Sequence, residues 1–195
     1  MDRPLRRDAQ RNRDALVAAA KEVLAERGLQ APLDAVAKRA GLAIGTLYRH
    51  FPERGDLIDE IMDGKVTRWA ELAGKALEAE DAWEGLVRFL EHTCEMQARD
   101  RAFTELACLV HLEDKAEVRG MVERLVERAQ RAGALRADID HTDLALFVMA
   151  NSRVAEVAPG QWRRHFHLMI DALRARAAGD PGADGAAVRR PTSPG

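Results

Sequence analysis

The sequence predicts an all-α protein, on three observations. Ala, Leu, Glu and Arg, all good helix formers, dominate its 195 residues. Apolar positions recur at three- and four-residue spacing through most of the chain, and no stretch alternates apolar and polar residues as a half-buried strand does. Hydrophobic residues make up 47%, enough to fill a core and too many for a disordered chain.

Residues 1–10 read as a charged arm. Arg11 to Arg27 reads as the first helix, because Leu16, Val17, Ala20, Val23 and Leu24 fall on one stripe. Gly28, followed by Leu29, suits a left-handed C-terminal cap. Pro32 suits the first turn of a short helix from Leu33 to Ala40, since its missing N–H costs nothing there. Gly41 breaks that helix, and a second short one runs from Ala43 or Ile44 to about His50. Pro52 ends it by excluding the α conformation from the residue before it. A long helix from Arg54 to about Glu78 carries Leu57, Ile58, Ile61, Met62, Trp69 and Leu72. Asp81 caps the next, with Leu86, Val87, Leu90 and Cys94 as its apolar face. Further helices cover Ala102 to Leu112 and the stripe Val118, Met121, Val122, Leu125, Val126 and Ala129, closed by Gly133. Thr142 to Val157 is apolar on nearly all sides between Leu144 and Ala150, which predicts burial on more than one face. The final helix runs from Gly160 to Arg176. Residues 178–195 have no periodicity and read as a disordered tail.

Charge divides unevenly along this plan. Residues 1–52 hold ten Lys/Arg and six Asp/Glu, whereas the remainder holds twenty and 26. A basic front and an acidic rear point the front toward a polyanion, although ordinary scatter gives similar imbalances. Cys94 and Cys108 sit in apolar helical patterns and form no disulfide framework. MDRPLRRDAQ has no apolar core segment, so it does not read as a secretory signal. No run approaches the roughly 20 apolar residues of a membrane span. A cytoplasmic protein with no membrane association is the expectation. His92, His111, His141, His165 and His167 show no metal-ligand spacing, and neither a phosphate-binding glycine loop nor a nucleophile elbow appears. No cofactor, metal or catalytic set is expected, and the chain does not read as an enzyme.

The informative stretch is Leu33 to Phe51. Val36 and Ala40 lie on the inner face of its first helix, and Ala37 is small where two helices must approach closely. Gly41 supplies positive φ in a short turn. Leu42, Ile44 and Leu47 point back to the core, with Phe51 locking the end. The second helix keeps a polar outer face of Thr46, Arg49 and His50 beside Gly45 and Tyr48. This is the pattern of a helix-turn-helix.

From Arg13 to Leu57 the chain resembles the DNA-binding domain of the tetracycline-repressor (TetR) family. The matching marks are Ala19-Ala20, Gly28, Val36-Ala37, Ala40-Gly41-Leu42, Gly45-Thr46-Leu47-Tyr48, His50-Phe51 and Leu57. The resemblance implies a three-helix reader over residues 11–53 and a roughly six-helix regulatory and dimerisation domain over residues 54–177. It implies that the second helix of the motif enters the major groove of operator DNA. Gly45 lets the backbone approach, Thr46 meets a thymine methyl or base edge, and Arg49 either reads a guanine or holds a phosphate. Tyr48 and His50 contact phosphates, and Arg54 takes the place of the family's usual lysine at the start of the fourth helix. Ala43 and Glu53 stand where the family often has Ser or Thr. Arg3, Arg6, Arg7 and Arg11 are either a solvated arm or minor-groove contacts.

The resemblance also implies a homodimer, released from DNA by a small apolar or amphipathic effector. Trp69, Phe89, Met96, Phe103, Cys108 and Met121 are candidates for lining an effector cavity, with an ordinary core as the competing assignment for each. Thr93, Gln97 and Asn151 are candidates for orienting the effector. Leu144, Phe147 and Val148, with Trp162, Phe166, Met169, Ile170 and Leu173, are assigned to a four-helix dimer interface. A repressor is the leading expectation. An activator, or a protein-binding adaptor with a relic helix-turn-helix, remains open.

Overall fold

The computed structural model describes residues 3–109 and 116–175. Among these, the chain forms nine α-helices: α1 (Arg3–Arg27), α2 (Leu33–Arg39), α3 (Ile44–His50), α4 (Arg54–Glu78), α5 (Ala82–Arg99), α6 (Arg101–Leu109), α7 (Ala116–Arg131), α8 (His141–Val157) and α9 (Trp162–Ile170). A 3₁₀ turn, Asp171–Leu173, follows α9. No helix among the described residues is long and apolar enough to cross a membrane. The proposed tail of residues 178–195 lies outside the described residues, as does His111.

The helices surround two hydrophobic cores. The first is built on Leu16, Ala20, Val23, Leu24, Val36, Leu47, Phe51, Leu57 and Ile61, which join α1–α3 to the start of α4. The second joins the rest of α4 to α5, α7, α8 and α9. Ala102 of α6 belongs to the first core although it follows α5 in the chain. The Glu105 carboxylate accepts the Leu29 backbone N–H at 2.6 Å, so α6 caps the end of α1 from outside.

Three helices end on left-handed glycines: Gly28 (φ 83°), Gly41 (φ 68°) and Gly133 (φ 66°). After α2, Gly41 N donates to Lys38 O at 3.2 Å and Leu42 N to Ala37 O at 3.0 Å, the paired bonds of a Schellman cap. The same pair recurs after α7, from Gly133 to Gln130 and from Ala134 to Ala129.

Both chain ends depart from the expected plan. Helix α1 starts at Arg3 rather than Arg11, because Pro4 falls in the first turn, where proline is tolerated, and helix-compatible residues follow. At the other end α9 stops at Ile170 rather than running to Arg176. There the backbone leaves the helix to pair with the α7–α8 connection. Arg136 N donates to Leu173 O at 3.1 Å, Ala175 N to Ala134 O at 2.9 Å, and Leu135 bridges Arg174.

Within the protomer α8 buries one face and leaves Leu146, Met149 and Val157 exposed, at 56%, 39% and 68%. These residues recur along one stripe of the helix. Leu168 and Met169 of α9 are exposed as well.

Candidate nucleic-acid interface and effector region

Helix α3 is short, so its position depends on its neighbours rather than on its own stability. Leu47 is its fully buried anchor, and Phe51 is buried immediately beyond it. Ala43 starts the helix without a side-chain cap bond. Around the motif, charged side chains brace α1. The Arg13 guanidinium meets Glu60 of α4 through two bonds of 2.7 Å and lies 5.1 Å from the Phe51 ring centroid. Arg39 of α2 reaches Glu22 and Glu26 of α1. Hydrogen bonding to Arg13 holds Glu60 below the usual carboxylate range, and hydrogen bonding to Arg39 does the same for Glu26.

With Leu47 inward, the opposite face of α3 projects outward. Ala43, Gly45, Tyr48 and Arg49 are exposed, and Thr46 and His50 are half-buried. Tyr48 is 50% exposed, so its ring serves no core here. A Cβ added at Gly45 would meet no protein atom within 4 Å. The fold therefore does not demand glycine at this position, whereas a close external backbone approach would.

Arg54 does not lie where the resemblance places it. Its guanidinium turns inward and donates to Leu29 O and, at 2.8 Å, to Ala31 O. It holds the α1–α2 loop by backbone carbonyls that the loop itself leaves unpaired. It is thus a positioning residue for the motif and not an outward phosphate hook. Glu53, the other departure at this helix start, has its N–H accepted by the Asp56 carboxylate at 3.0 Å.

The candidate effector residues separate into several groups. Trp69 and Phe89 stack at 6.3 Å, and Trp69 meets Phe103 edge-on at 5.9 Å. Trp69 Nε1 donates to the Thr93 hydroxyl at 3.0 Å, and that hydroxyl donates to Phe89 O at 2.8 Å. Thr93 is thereby satisfied inside the core, and Met121 packs against the same core. Met96 and Phe103 instead line an open groove of about 480 Å³ between α1, α4, α5 and the start of α6. Gln97 lines a second groove, of about 400 Å³, against α1, α6 and α8. Asn151 is buried, with its carbonyl oxygen 2.9 Å from His165 Nδ1. The Cys108 side chain lies outside the described residues. Cys94 is a buried neighbour of this region, and burial pushes its thiol up to about 12, so it stays protonated at neutral pH.

Of the residues assigned to a dimer interface, Leu144, Val148, Trp162, Phe166, Ile170 and Leu173 are buried within the protomer. Phe147 is half-buried and meets Phe166 edge-on at 5.6 Å. These seven fasten α8 and α9 onto the second core, and Met169 alone faces out. Sequence periodicity located the apolar faces but not what covers each one. It also missed Leu146, Met149, Val157 and Leu168. For Leu146 and Met149 the signal was the excess width of the apolar band in α8, more than one packing face needs. The cations of the 480 Å³ groove were missed too, because Lys21, Lys65 and Arg68 come from two helices distant in sequence.

Comparison with known proteins agrees with this geometry. Residues 16–61 match the model of bacterial regulatory proteins of the tetR family. Residues 81–175 match the C-terminal domain of SbtR-like transcriptional regulators. The HTH-type transcriptional repressor KstR2 of Rhodococcus jostii (strain RHA1) is 28% identical over 147 residues, 66% of this chain and 70% of that protein. A TetR transcription regulatory protein from Mycobacterium vanbaalenii is 30% identical, with TM-score 0.55, over 88% of this chain and 99% of the other. The TetR transcriptional regulator SCO0520 from Streptomyces coelicolor is 26% identical, with TM-score 0.60, over 85% and 99%. With its reader, its second domain and its overall fold all shared with these regulators, the chain belongs to the TetR family of DNA-binding transcriptional regulators.

Proposed function

We propose that this protein is a ligand-relieved repressor that binds a near-palindromic operator as a homodimer. The observation that carries the reading is the two-sided character of α3: a fully buried Leu47 beneath an outer face of Gly45, Tyr48 and Arg49. A helix held this way enters the major groove as a rigid rod, the one B-DNA groove wide enough for it. Thr46 and Arg49 meet base edges, while Tyr48 and His50 hold phosphates and set register.

The homodimer reading is supported by the exposed apolar stripe of α8 and α9, which a two-fold axis would cover with its own copy. Pairing there sets two copies of α3 about one helical turn of DNA apart, roughly 34–36 Å, and so calls for an inverted repeat. Release follows if an effector binds more tightly to a dimer whose readers are wrongly spaced. The repressor sense is supported by KstR2, a relative named as a repressor.

Selection of bound fragments from genomic DNA, followed by gel shift at several salt concentrations, tests the reading. We expect one near-palindromic sequence to be retained by a dimer, with binding that weakens steeply as salt rises. Binding without sequence preference would overturn it.

A further inference from the structure

We propose that the groove between α1, α4, α5 and α6 is an effector site for an amphiphilic anion, an apolar body ending in a carboxylate or phosphate. This rests on the ligand-relieved reading above and supplies the effector's chemical class and its place. The groove encloses about 480 Å³, within the usual range of small-molecule sites. Ile61, Leu72, Met96 and Phe103 form its apolar part. Lys21, Lys65, Arg68 and Arg99 face two acids, Glu95 and Asp100.

The acids do not cancel the cations. Glu95 is shared between Arg99 at 2.7 Å and Arg163 at 2.9 Å, so one carboxylate serves two guanidinium groups. Asp100 pairs with Lys65 at 2.5 Å. The Lys65 ammonium nitrogen is itself buried and carries three N–H donors, which the single contact with Asp100 does not exhaust, so it keeps donors to spare. Among the described residues Arg68 has no acidic partner within 4 Å. Lys21 lies near Glu60, but Arg13 already occupies that carboxylate through both oxygens. Lys21 and Arg68 are exposed and only the Lys65 nitrogen is buried, so an anionic head would take the place of water at the first two and add an acceptor at the third, while its tail covers the apolar wall. A cation would meet like charge, and a neutral alcohol would leave the excess charge unanswered.

The placement has a regulatory consequence. Lys21 belongs to the reader's first helix, whereas Met96 belongs to the second domain. A ligand spanning both favours one orientation of the reader over others, which is the differential affinity that release requires.

The test uses the full-length protein with decanoate, decyl phosphate and 1-decanol, each below its aggregation limit. Calorimetry without DNA gives affinity, and NMR of ¹³C-methyl-labelled methionine gives location. We expect decanoate or decyl phosphate to bind and 1-decanol to bind at least tenfold more weakly. The Met96 methyl signal should shift, and that of Met169, exposed on α9, should not. Arg68→Gln and Lys21→Gln should each weaken anion binding about tenfold, the scale of a charged hydrogen bond. Arg68→Lys should retain most of it. Which of the two anions binds decides between the carboxylate and phosphate heads. Equal affinity for 1-decanol, an unmoved Met96 signal, or unchanged binding by Arg68→Gln and Lys21→Gln would overturn the proposal. Sequence-selective DNA binding without additive is measured separately, so the regulator reading can stand while the anion site fails. If both hold, decanoate or decyl phosphate should weaken DNA binding by the unaltered protein and leave Arg68→Gln on the DNA.

Discussion

Gly45 and Leu47, two residues apart on α3, do opposite jobs. Leu47 is fully buried and sets the pose of the helix, while Gly45 leaves an open notch on its outer face. Gly45→Ala separates fold from function. A β-carbon there meets no protein atom, and alanine is the better helix former, by about 0.5–1 kcal/mol in a helix interior and less in the first turn, where Gly45 lies. We expect unfolding by denaturant to show equal or higher stability, and gel shift to show lost or sharply weakened operator binding. A destabilised variant would contradict the open geometry. Arg54 is the converse case. Removing its side chain leaves Leu29 O and Ala31 O without their donor. Arg54→Ala should cost about 1–3 kcal/mol, the penalty of an unsatisfied buried polar group, read as a lowered melting temperature. The slope of log affinity against log salt should stay unchanged, because the group holds protein rather than phosphate.

Between elements, α6 meets the end of α1 in a close junction. Gly28 combines a left-handed φ of 83° with a Glu105 oxygen 2.2 Å from the place of a β-carbon. Gly28→Ala should therefore cost more than the strained backbone alone, about 1 kcal/mol, because Glu105 must swing away and release Leu29 N. Combining it with Glu105→Ala should give a double-mutant coupling well away from zero in chemical denaturation. Additive losses would mean the carboxylate does not bear on the turn. The three glycine caps were legible in the sequence because a left-handed cap depends on a single residue type at one place. The same holds for the helix-turn-helix, whose inward and outward residues lie within one short window. The ends of α1 and α9 were not legible. Residues 3–10 carry no apolar stripe, and α9 is stopped by backbone pairing with a segment some forty residues earlier in the chain, which no local pattern records. Phe166 and Trp162 show the same limit. Their spacing marks an apolar face, but only the packing says that the protomer's own core covers it.

At the scale of the whole molecule, five large apolar side chains on α8 and α9 remain in solvent: Leu146, Met149, Val157, Leu168 and Met169. If a second copy covers them, one charge on each helix should separate the pair. Leu146→Glu with Leu168→Glu should sediment as a folded monomer, since both positions are more than half exposed within the protomer and carry little of its own stability. The same variant should lose most of its operator affinity, because one reader alone gains only half the contacts. A double variant that remains dimeric by ultracentrifugation would place the interface elsewhere.

Two guanidinium clamps hold α4 at its ends. At its first residue, Arg54 grips the α1–α2 loop inside the reader. At its far end, Arg128 of α7 gathers the carbonyls of Ala76, Ala79 and Glu80. With 25 residues, the helix spans about 37 Å between those grips. A rod fastened at both ends works like an axle: were one grip turned, the helix would carry the turn toward the other.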